Sequence, residues 1–140
     1  MPVNFTGVWQ FDRTRSKLLA ALPEAIEVRI THTGSDLRQE VVITKPDGSE
    51  DHQLFTCRTT GEPDQCQLSG KRLRGTARWE GEELIIETWL QHGARELHFR
   101  DCWSLSPDGQ TLFMEHRDDD LAGQRAVLNR AAERSNNGAC

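Results

Sequence analysis

No stretch of the 140-residue sequence is apolar for long enough to cross a bilayer as a helix, which takes about 20 residues. The opening, MPVNFTGVWQ, has neither the charged n-region nor the apolar h-region of a secretory leader. That absence predicts a cytoplasmic protein, or the mature part of a secreted one, with no membrane partner. Positive charge is in short supply. Net charge is −5, the pI is about 5.5, and Arg and Lys are scattered among acids rather than gathered in a stripe. Nucleic acid is therefore not an expected partner. Cysteine is sparse too, at positions 57, 66, 102 and 140, with no CxxC pair. The preferred reading is four reduced thiols; a Cys57–Cys66 bridge across RTTGEPDQ is the rival that the spacing permits. No ligand cluster has a zinc-site spacing, so no metal is expected. GxSxG, a Walker loop, HExxH and a dinucleotide fingerprint are all missing, so no cofactor is expected either.

What is present is strand after strand. Hydrophobic content is only 36% against 28% charged, as suits strands that show half their residues to water. Alternation sets Gly7, Trp9 and Phe11 on one face, and Ile26, Val28, Ile30 and His32 on another. It does the same for Leu37, Gln39, Val41 and Ile43, for Leu73, Gly75, Ala77 and Trp79, and for Leu84, Ile86, Thr88 and Leu90. Leu97, Phe99, Asp101, Trp103 and Leu105 form a further row, so an aspartate stands in an otherwise apolar line. PDGS, EGEE and SPDG mark turns. About nine short strands at regular spacing predict an all-β sandwich or barrel. Short consecutive hairpins favour an up-and-down meander of eight to ten strands that closes on itself to remove its edges. One segment, SKLLAALPEA, reads as a short helix over residues 16–22, between the first two strands, with Ser16 as N-cap and Pro23 as stop. Residues 1–131 make one domain and 132–140 a polar tail expected to be disordered.

The opening NFTGVWQFD, with Gly7-x-Trp9 on the first strand, resembles the start of lipocalins and of the wider calycin barrels, which include fatty-acid-binding proteins. FTGVWQFDRTRSK, ARWEGEELIIET and WSLSPDGQTL together resemble a bacterial lipocalin-like domain over residues 4–131. The resemblance implies that Trp9 packs at the closed end of the barrel under an Arg from the last strand, a part that falls to Arg130. It implies binding of small, mostly apolar molecules, with occasional enzymes built in the same cavity. The chain departs from secreted lipocalins in lacking their long helix after the barrel. Its early helical segment is also shorter than the helical pair of fatty-acid-binding proteins.

If Trp9 points inward, apolar content chooses the inward face of every other strand, Leu54 included. The polar members of those rows are His32, Gln39, Thr88, Asp101 and His116. Candidate ligand-binding residues are then Phe11, Gln39, Trp79, Thr88, Phe99, Asp101, Trp103, Met114 and His116, with Gly7, Trp9 and Arg130 structural. The expected function is binding of a small, mostly apolar molecule inside the barrel. The alternative is a small metal-free hydrolase or isomerase, with Asp101 orienting His116 or His32 for proton transfer. Centring the SPDG turn on residues 107 and 108 brings Asp101 opposite position 114, with His116 a diagonal neighbour. The plainer readings stand beside these. Asp101 can be a structural strut, the histidines rim residues, and the tryptophans cross-strand packing. A monomer or a homodimer is expected.

Overall fold

The computed structural model describes residues 4–17, 25–63, 65–118 and 123–131. Ten antiparallel strands follow one another: β1 (Gly7–Phe11), β2 (Ala25–Thr33), β3 (Asp36–Thr44), β4 (Glu50–Arg58), β5 (Cys66–Leu68), β6 (Lys71–Glu80), β7 (Glu83–His92), β8 (Arg95–Leu105), β9 (Thr111–Asp118) and β10 (Gln124–Arg130). Each pairs with its sequence neighbour, and β1 also pairs with β10, so the barrel is closed. Ten strands rather than nine result because β5, only three residues long, is too short to show alternation. Residues 18–22 of the helix expected over 16–22 lie outside the described ones. Ser16 itself is held by β10: its hydroxyl donates to the Asp12 carbonyl at 2.7 Å and accepts from the Val127 amide at 2.8 Å.

Closure is fastened where the sequence resemblance implied. Trp9 is fully buried, and its indole N–H donates to the Phe5 carbonyl at 3.0 Å. The Arg130 guanidinium lies 4.3 Å over the Trp9 ring, a cation–π contact. It also donates to the Gly109 carbonyl from Nε and Nη2 (3.2 and 3.1 Å) and to the Thr6 carbonyl from Nη1 (3.1 Å). Position 7 must be glycine for this. Its φ is +153°, and a Cβ there would sit 2.5 Å from Arg130 Nη1. The core continues through Val28, Ile30, Leu37, Ala77, Leu84, Ile86, Leu112 and Leu128, all buried.

Two expectations are corrected. Cys57 and Cys66 are bridged, not reduced: antiparallel pairing of β4 with β5 sets them directly opposite each other. Leu54 does not face the core. Pairing of Leu37 with Cys57 and Gln39 with Phe55 turns Gln53, Phe55 and Cys57 inward. Leu54 and Phe55 are both large and apolar, so apolar content alone could not choose between them, and the bridged, buried Cys57 fixes the phase.

Candidate functional site

Above the closed end lies a cavity of about 310 Å³, lined by Gln39, Gln53, Phe55, Leu68, Leu73, Ile86, Thr88, Asp101, Trp103, Met114 and His116. These side chains come from seven successive strands, β3 to β9, and share the inward parity of Trp103. Leu68, 38% exposed, marks its opening. Two larger grooves, of about 720 and 600 Å³, are lined mostly by residues of the opposite parity, such as Phe113 with Arg125 and Gln10 with Glu27, and take in only Leu105, Phe11 and Ile26 from the inward rows. They lie mainly on the outer surface, so the smaller cavity, lined by inward-facing residues alone, is the better candidate site.

Asp101 and His116 stand opposite each other in the β8–β9 ladder, and His116 Nδ1 donates to Asp101 Oδ1 at 2.7 Å. The register differs by two residues from the one expected. Leu105 pairs with Leu112, so the hairpin centre lies between residues 108 and 109. Gly109, with φ +74°, supplies a left-handed turn position, and the Ser106 hydroxyl donates to Asp108 while accepting from the Thr111 amide. The diagonal pair thereby becomes a direct one. The Phe99 ring stacks on His116 at 5.4 Å. The hydrogen bond to Asp101 raises the His116 pKa above the ordinary value, against the opposing effect of burial. With Nδ1 engaged, Nε2 is the ring nitrogen available to a ligand. The Gln39 amide nitrogen rests 4.0 Å from Met114 Sδ on the facing wall.

His32 is not part of this cavity. It belongs to the closed-end plug, with ring centroids 6.3 Å from Phe5 and 5.6 Å from Trp79. Its Nε2 is buried without a hydrogen-bond partner, and burial lowers its pKa. Trp79 likewise stacks on Phe5 at 5.7 Å instead of lining the cavity. Phe99 reaches the site only through His116. Phe11 borders the separate groove that contains Gln10 and Glu27. Trp103 joins the two regions, since it lines the cavity and meets Phe5 edge-on at 5.8 Å. The expected residues that do line the cavity are Gln39, Thr88, Asp101, Trp103, Met114 and His116. Leu73 and Ile86 were on the inward faces but not singled out. Gln53 and Phe55 were missed with the phase of β4, and Leu68 with β5.

Among the described residues, no group of three or more His, Cys, Asp or Glu side chains could hold a metal ion. No protein-family model matches the chain, and no curated protein sequence does. The fold does match that of apo Caenorhabditis elegans lipid binding protein 8, a crystal structure, with a TM-score of 0.63 at 8% identity. That match covers 91% of this chain and 95% of the other. The chain is a closed ten-strand antiparallel barrel that shares its fold with that protein.

Proposed function

We propose that the protein binds a small, mostly apolar molecule in the barrel, seated against Trp103, Met114, Ile86 and Leu73, with a polar group directed at Asp101 and His116. The observation that carries this reading is the inward cavity itself: apolar walls on which a few polar groups converge. The likeness in fold to Caenorhabditis elegans lipid binding protein 8 supports it. At about 310 Å³ the cavity is at the small end for ligand sites, which favours a medium-chain or single-ring molecule. Isothermal titration with a panel of medium-chain alcohols, ketones, acids and amines tests the reading. At least one should bind saturably at one site per chain, and Leu73→Trp, which fills the cavity, should abolish that binding while the barrel stays folded. A panel without a binder, or binding indifferent to Leu73→Trp, contradicts it.

The 2.7 Å bond between His116 and Asp101 also favours a second reading, acid–base catalysis in the same cavity. Asp101 would hold the imidazole with its proton on Nδ1, so that Nε2 exchanges a proton with a substrate. Hydrolysis of activated esters that His116→Gln abolishes would support it. A rate unchanged by that substitution would remove it.

A further inference from the structure

We propose that the Asp101–His116 pair makes the cavity selective for uncharged ligands bearing a hydroxyl, ketone or amide group, and turns away carboxylates and amines. This rests on the binding reading above and names its ligand class. Among the described residues lining the cavity there is no lysine or arginine. Of these lining residues His116 is the one that can carry a positive charge, and when protonated it stands 2.7 Å from the Asp101 carboxylate that matches it. A carboxylate reaching for His116 must lie beside the Asp101 carboxylate, and a like-charge contact in a half-buried site is costly. An amine reaching for Asp101 meets the imidazolium in the same way. A neutral group meets neither penalty. It can accept from or donate to the pair, and Gln39, Gln53 and Thr88 supply further groups that both donate and accept.

The test is isothermal titration at neutral pH with three matched ligands: 1-octanol, octanoate and octylamine. Octanol should bind at least about tenfold more tightly than either ion, a gap of about 1.4 kcal/mol. In Asp101→Asn the barrier to an anion is gone, so the gap between octanol and octanoate should shrink to about threefold or less. His116→Gln leaves Asp101 without its cation, so octylamine should gain and octanoate should weaken further. This second variant decides the matter if Asp101→Asn does not fold. Octanoate or octylamine binding as tightly as octanol to the native chain overturns the selectivity and leaves the binding reading standing. The same holds if neither variant alters the gaps. Silence of all three ligands together with the wider panel overturns both.

Discussion

A single aspartate in an apolar row was the most informative residue in the sequence. Parity put Asp101 inward between Phe99 and Trp103, and it lines the cavity. What alternation could not supply was the partner's position, because moving the hairpin centre by one residue shifts the pairing by two, which preserves every face and changes only who stands opposite whom. His32 carried the same inward signal as His116 and proved to be part of the closed-end plug. Periodicity along a strand reports the face but not the height along the barrel axis. The pair has a pH signature of definite sign. The His116 pKa is raised in the folded chain, mainly by its bond to Asp101. The stabilisation is therefore complete below the ordinary histidine pKa of about 6.5 and is lost as pH rises through the folded value. With 34% of the His116 side chain and 28% of Asp101 exposed, solvent screening keeps the effect below about 1 kcal/mol. In Asp101→Asn the His116 ring should titrate at lower pH by NMR, and the loss of stability in urea should be larger near pH 5.5 than near pH 8. An unmoved His116 titration would mean that the bond does not form in solution.

At the scale of elements, long strands with one apolar face were legible and short or ambiguous ones were not. β2, β3, β6, β7 and β8, each nine residues or longer, were found with the right faces. β5 has three residues and escaped, while β4, with two competing faces, was read as a strand in the wrong phase; Leu68 was lost with the first, and Gln53 and Phe55 with the second. The same blind spot explains the cysteines. Without β5 nothing set Cys66 opposite Cys57 beyond a spacing that permitted the bridge. The bridge closes a short loop and ties the shortest strand of the barrel to its neighbour. Cys57 and Cys66 should resist alkylation under denaturing conditions until a reductant is added. Their joint replacement by serine should cost roughly 2–3 kcal/mol in urea unfolding, the scale expected for closing a short loop. Full alkylation without reductant would restore the reading of reduced thiols.

The whole molecule is a barrel with a solid end and a hollow middle. Phe5, Trp9, Trp79, Trp103 and His32 fill the closed end, Arg130 ties β10 across Trp9 to the Thr6 and Gly109 carbonyls, and the cavity opens beyond Trp103. The sequence reached this architecture because three independent signals agreed: hairpin spacing, facial alternation, and Gly7-x-Trp9 with a late arginine. Trp9→Ala should cost about 3–5 kcal/mol, as expected for emptying an aromatic site in a core. A loss below about 1 kcal/mol in urea unfolding would mean that Trp9 does not anchor the closure. That the hollow receives a ligand is most directly tested by methyl NMR during titration with 1-octanol. The methyls of Met114, Ile86, Thr88 and Leu73 should shift saturably, while those of Ile85 and Val127, buried but one residue out of phase with the cavity-facing rows, stay in place. Shifts confined to outer-face residues such as Val42, or none at all with any ligand of the panel, would contradict a ligand site inside the barrel.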